Sequence, residues 1–179
     1  MLLRDTEQHR ENYPWHNGLS MTTNLRRAEV RDAPQITSLI NSAFRIAEEF
    51  FVDGNRISIE GVLEHFESGE FLLAEEEENL VGCVYLEHRG DHTYLGLLSV
   101  DPTIQRGGLG SRIVSGAEEY CRERGAKFMD ISVVNLREEL LPFYAKRGYI
   151  EIGTSPFPSN VKLKVHCHFI NMSKDLVGA

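Results

Sequence analysis

The chain has 179 residues, of which 41% are hydrophobic and 26% charged, which supplies one sizeable core and excludes the composition of a disordered polymer. A formal net charge of -8 at pH 7 argues against a nucleic-acid partner, whose affinity would come from Lys and Arg, and suits a cationic small molecule or basic peptide. Three cysteines without C-x-x-C spacing, no apolar run as long as a membrane span, and first residues too polar for a signal peptide give the expectation of reduced thiols, no membrane contact and a cytoplasmic location.

Residues 1–20 carry charges, Pro14 and Gly18 but no periodicity. They read as an N-terminal extension before a single domain over 21–179, with Met21 as an alternative start. From Asn24, NLRRAEV is strand-like; Asp32 can then cap a helix with Pro34 in its first turn, and Ile36, Leu39, Ile40 and Ala43 recur at helical spacing. A loop with Phe50, Phe51, Asp53 and Gly54 leads to a second helix from about Ile57 to Phe66, with Ile59, Val62, Leu63 and Phe66 on its apolar face. Strands Phe71 to Ala74 and Leu80 to His88 flank a solvated acidic turn at Glu75 to Glu78, and TYLGLLSV reads as a buried strand that Pro102 stops. A helix from about Gly108 to Arg124 presents Ile113, Val114, Ala117, Tyr120 and Cys121 to a core, with Gly125 as its C-cap. The strand KFMDISVV, a short helix from Arg137 to Lys146, and strands at about Tyr149 to Gly153 and Val161 to Met172 complete an α/β layout with a mixed sheet.

The stretch Leu97 to Arg112 runs from strand through a Gly-rich turn into a helix start. Glycines let backbone approach a ligand closely, successive N–H groups point outward, and the helix N-terminus adds partial positive charge, so the turn reads as an anion site. Gly107, Gly108 and Gly110 supply clearance; Arg106 and Arg112 can add charged contacts to phosphate oxygens. The spacing is not that of a Walker loop, and no acidic residue ends the following strand to hold a ribose, as a dinucleotide-binding unit would require.

Gln105-x-x-Gly108-x-Gly110, preceded by Leu98-Ser99-Val100-Asp101-Pro102, resembles the acetyl-CoA signature of the GCN5-related N-acetyltransferase (GNAT) superfamily. Downstream, Asn135 followed by Phe143-Tyr144-Ala145-Lys146-Arg147-Gly148-Tyr149 is similar to a second segment of that family, with Tyr149 in place of the usual Phe. The resemblance covers roughly residues 24–175. It implies a mixed, mostly antiparallel sheet of about seven strands with about four helices, splayed at the cofactor site, and acetyl-CoA as co-substrate. Leu98, Ser99 and Val100 would lie along the pantetheine arm, backbone amides from Gln105 and Arg106 through Gly107, Gly108, Leu109 and Gly110 to Ser111 would hold the pyrophosphate, and Asn135 would meet the arm from the neighbouring strand. Tyr144 would contact the cofactor and protonate the departing thiolate as general acid. Read without the resemblance, Tyr144 is a core aromatic and Asn135 a helix N-cap.

The implied reaction is attack by a neutral amine on the acetyl carbonyl, polarised by a backbone N–H near Val100. Many relatives carry a Glu base on the strand before the turn, and TYLGLLSV contains none. Tyr85, Glu87 and His88 on the preceding strand could reach the acceptor, and Glu48 and Glu49 in the loop after the first helix could bind a cationic one. His166 and His168 share one face of the last strand as half a metal site, without a third ligand, so no metal is expected. The acceptor, a small-molecule or protein amine, stays open, as do transfer of another acyl group, a hydroxyl or thiol acceptor, and acyl-CoA binding without turnover. Relatives are often dimers, so a homodimer belongs among the expectations.

Overall fold

Alternation along two central strands sets the architecture. The structure, a computed structural model, describes residues 25–104, 107–159 and 161–178, so the expected extension and Met21 lie outside the described residues. In chain order the elements are β1 (Leu25–Arg27), α1 (Ala33–Glu48), α2 (Ile59–Ser68), β2 (Glu70–Glu76), β3 (Asn79–Arg89), β4 (His92–Val100), α3 (Leu109–Glu123), β5 (Phe128–Val134), α4 (Leu140–Ala145), β6 (Ile150–Pro156) and β7 (His168–Asp175). The seven strands form one sheet in the order β1-β2-β3-β4-β5-β7-β6, and every neighbouring pair is antiparallel except β4 with β5. This is the mixed, mostly antiparallel sheet with four helices that the resemblance implied.

Successive side chains of a strand point to opposite faces. Leu72, Ala74, Val84 and Leu86 join Ile113, Val114 and Ala117 of α3 in one core cluster. Phe71, Leu73, Cys83 and Tyr85 join Ile36, Leu39 and Ile40 of α1 and Val62 of α2 in a second, on the other face. A third cluster, centred on Phe51, Val52, Val134 and Phe157, closes the β5–β7 end of the sheet.

Several boundaries differ from expectation for local reasons. Asp32 stands at the N-cap of α1 as expected, but its side chain makes no cap bond; its carboxylate accepts from the Glu29 N–H and from both terminal nitrogens of Arg26, and a 3-10 turn over Val30–Asp32 precedes the helix. The α2 stripe is narrower than its sequence suggests, because Val62 alone in that helix is buried while Ile59 and Leu63 are exposed. The acidic turn tightens to Glu77 and Glu78, both with positive φ, as a two-residue hairpin loop requires. Residues 161–167, expected as strand, form irregular chain in which Leu163 makes a single bridge to Val52, so His166 precedes β7 and shares no strand face with His168.

The loop between α1 and α2 is tied back to α1 by one side chain. Asn41 Nδ2 donates to the Ile57 carbonyl at 2.8 Å and the Ile57 N–H donates to Asn41 Oδ1 at 3.1 Å. Asn41→Ala leaves both backbone groups without that partner, and a loss of ~1–3 kcal/mol is expected. A lower urea midpoint at unchanged slope is the check.

Candidate active site

β4 and β5 hydrogen-bond only over His92–Tyr94 and Phe128–Asp130, and from there the two strands diverge. A bulge in β4 accompanies the divergence. The register with β3 shifts between Cys83 and Tyr85, and Leu97 takes φ 50 in the left-handed region. Bulges re-aim side chains and concentrate beside functional sites; this one depends on register with a partner strand, which sequence pattern alone does not reveal.

The gap holds a cavity of about 150 Å³ bordered by Leu95 to Leu98, Val133 and Val134, with Glu48, Arg137 and Tyr144 also in its wall. A larger cavity of about 390 Å³ shares Phe44, Leu98 and Arg137 with it and continues past Val100 to Gly108, Leu109, Gly110 and Ser111. A third, of about 220 Å³, shares Phe44, Glu48 and Arg56 with the gap and opens among Arg45, Glu49, Asp53 and Lys164.

At the start of α3 the Arg112 N–H makes the first intrahelical bond, to Gly108 O. The amides of Leu109, Gly110 and Ser111 come before it in the first turn, where no intrahelical acceptor exists. Gly108 has φ +75, a conformation side chains rarely adopt. A Cβ added at Gly107 or Gly110 would come no closer than 3.7 Å to the rest of the protein, so internal packing does not exclude a side chain there. The bare backbone faces open space, and the 15-residue α3 directs its positive end into it. A pyrophosphate fits this donor set.

Two described arginines border the turn. Arg112 Nη1 donates to Gly107 O at 2.8 Å, bracing the turn from within. Arg147, which sequence reasoning passed over, donates to the Ser111 hydroxyl and the Phe143 carbonyl and lies 3.6 Å from the Phe143 ring centroid. The signal was its place between Tyr144 and Gly148 in the second motif. Gln105 and Arg106 lie outside the described residues.

Tyr144 is 6% exposed, edge-on to Phe143 and Tyr149. Its hydroxyl has no hydrogen-bond partner among the described residues. Burial pushes the phenol up to about 12. Ser99 is buried with its hydroxyl donating to Leu97 O at 3.0 Å, so its side chain is not part of the groove wall. Asn135 caps no helix, since α4 begins after Glu139; its Oδ1 accepts from the His168 N–H at 2.8 Å and holds β7 to the end of β5.

The candidates on β3 are engaged elsewhere. Tyr85 bonds Ser68 within the second core cluster, Glu87 is bound by Arg89, and His88 bonds Glu70 and Thr93. None of the three borders the cavities described above. Glu48 is the last residue of α1, not part of the loop, and is 5% exposed. Among the described residues no group of three or more His, Cys, Asp or Glu is arranged to hold a metal ion, and no helix is long and apolar enough to cross a membrane.

A model of the acetyltransferase (GNAT) family matches residues 35–149. The uncharacterized N-acetyltransferase YhfO of Bacillus subtilis is 28% identical over 137 residues, spanning 72% of this chain and 90% of that protein. The uncharacterized protein YxbD of the same organism is 40% identical over 53 residues, 30% of this chain and 33% of that protein. The crystal structure of the PaiA N-acetyltransferase from Thermoplasma acidophilum, in complex with coenzyme A, superposes with a TM-score of 0.68 at 15% identity, covering 85% of this chain and 98% of that one. At that identity the likeness concerns the fold.

Proposed function

The chain belongs to the GNAT acetyltransferase family, and from that premise we propose that it transfers an acetyl group from acetyl-CoA to an amine. One observation carries the reading: the bare first turn of α3 opens into a groove that shares its walls with the gap between β4 and β5, whose wall includes the largely buried Tyr144 with its phenol protonated.

In this reading the amides of Gly107 to Ser111 take the pyrophosphate, with Arg147 beside Ser111 adding positive charge. Gln105 and Arg106, which belong to the same signature in the sequence, are assigned to the coenzyme with them. Leu98, Ser99 and Val100 border the pantetheine arm along β4, with Ser99 contributing main chain only, while Asn135 keeps β5 and β7 together beside the gap. When bound, acetyl-CoA supplies the activated acyl group and the leaving thiolate. Phe44, which lines all three cavities, stands where its ring would shield the thioester from water. Tyr144 donates its proton to the sulfur as the C–S bond breaks and is restored by the proton that the nitrogen loses on forming the amide. Much of the rate comes from holding the two substrates together.

The test is thiol release from acetyl-CoA with a panel of primary amines. Amine-dependent release is expected. Tight coenzyme binding without release for any amine would instead favour an acyl-CoA sensor.

A further inference from the structure

We propose that Glu48 is the carboxylate that receives the acceptor's ammonium group and takes the proton its nitrogen must lose before attack. The assignment rests on the acetyl-transfer reading and adds to it the missing base and the acceptor's class, an aliphatic primary amine that is cationic in solution.

Glu48 occupies the place where two substrates would meet. It borders both the gap that contains Tyr144 and the cavity that opens among Arg45, Glu49, Asp53 and Lys164. It is 5% exposed, and its Oε2 is fully buried without a hydrogen-bond partner among the described residues. A buried oxygen left unsatisfied is costly, so its retention calls for a partner that arrives with the ligand. Among the described residues the nearest cation does not fill that place: Arg56 Nη1 lies 3.8 Å from Oε2, beyond hydrogen-bond distance, with its guanidinium 5.0 Å from the Phe44 ring centroid. An ammonium entering past Phe44 would give Oε2 the donor it lacks.

Charged groups face Glu48 from every side of the opening. Burial raises the Glu48 carboxyl, and Arg56 and Arg137 oppose that rise. Arg137 is itself bound to Glu139 at 2.5 Å. From the segment before β7, Lys164 donates to the Glu49 carbonyl and lies 3.7 Å from Asp53, and the Cys167 thiol is pushed up first by burial and then by Glu48. Arg45 and Glu49 complete the set from α1 and its cap. A carboxylate that burial raises above its ordinary range is a stronger proton acceptor than a free one. The balance is one proton from R-NH3+ to Glu48 and on to solvent, formation of the N–C bond, cleavage of the C–S bond, and passage of the second nitrogen proton through Tyr144 to the thiolate. The products are the amide, free thiol and one proton.

The experiment uses the full chain and Glu48→Gln. Calorimetry with coenzyme A should give the same dissociation constant within about twofold, while amine affinity with coenzyme A present should fall about tenfold. At pH 7 the kcat/KM for the amine should fall about a hundredfold, within the range of a lost general base. That deficit should shrink as pH rises and the amine deprotonates in solution, and Glu48→Asp should keep the acid limb of the pH profile at intermediate activity. Unchanged kcat/KM in Glu48→Gln, or a deficit equal at every pH, overturns the assignment while acetyl transfer stands. Failure of the unaltered protein to release thiol with any amine overturns both. Should Glu48→Gln not fold, an acid limb missing from Glu48→Asp overturns the assignment by itself.

Discussion

Gly108→Leu is expected to raise the dissociation constant for coenzyme A more than a hundredfold, and Gly125→Leu to leave it unchanged. Gly108 is the N-cap of α3 at φ +75, where the groove passes over the helix start. Any side chain there carries two separate costs. The left-handed backbone costs roughly 1–2 kcal/mol in stability for an L residue. The added atoms would also stand where the amides of the first turn meet the ligand. Gly125 separates the two costs, because it has φ +87 with nothing within 4 Å of an added Cβ and lies beyond the other end of α3. Both variants should therefore lose similar stability in urea melts, and Gly108→Leu alone should lose binding. A hundredfold change corresponds to ~2.7 kcal/mol, well within calorimetric resolution. Equal affinities in the two variants would remove the pyrophosphate from this turn.

What the sequence conveyed about this fold was governed by period. Ile36, Leu39, Ile40 and Ala43 are all buried as their helical spacing requires, and the alternation along Phe71 to Ala74 divides cleanly between two clusters. The Gly-rich turn was legible because it concentrates its information in adjacent residues. Features created by distant segments were not. Glu48 reads as one of two acids in a loop, and the groups that set its electrostatics, Arg56, Arg137 and Cys167, lie up to 119 residues away (167 − 48). The Leu97 bulge exists only relative to β3. His166 and His168 looked paired by count, yet the strand begins at His168 because Cys167 turns into the third cluster and Leu163 bridges Val52. Tyr85, Glu87 and His88 fitted by type, but Tyr85 and His88 had neighbours on other elements, Ser68 and Glu70, that used their polar atoms first, and Glu87 was bound by Arg89 two residues along its own strand.

Tyr144→Phe should lower kcat about a hundredfold or more, with coenzyme A affinity and folding stability close to those of the unaltered protein. The hydroxyl has no hydrogen-bond partner among the described residues, so its removal breaks no internal bond. The ring remains to pack edge-on against Phe143 at 4.9 Å and Tyr149 at 5.4 Å between centroids. A core role would therefore predict little change in any measurement. As general acid the phenol must be protonated, and with burial pushing it up to about 12 it stays so throughout the neutral and mildly alkaline range. A proton held that tightly transfers well only to a base of similar strength, and a free alkyl thiolate in water, at about 8.5, is too weak. The dry setting corrects this. A thiolate expelled into the narrow gap beside Tyr144 is less well solvated than in water, which strengthens it as a base toward the phenol. A loss of ~10²–10⁴ in kcat is what such a positioned acid contributes. Because the phenol titrates so high, the pH profile of the unaltered protein should show no basic limb from Tyr144 in the neutral and mildly alkaline range. Full activity in Tyr144→Phe would return the residue to the core and leave the thiolate to depart without its proton.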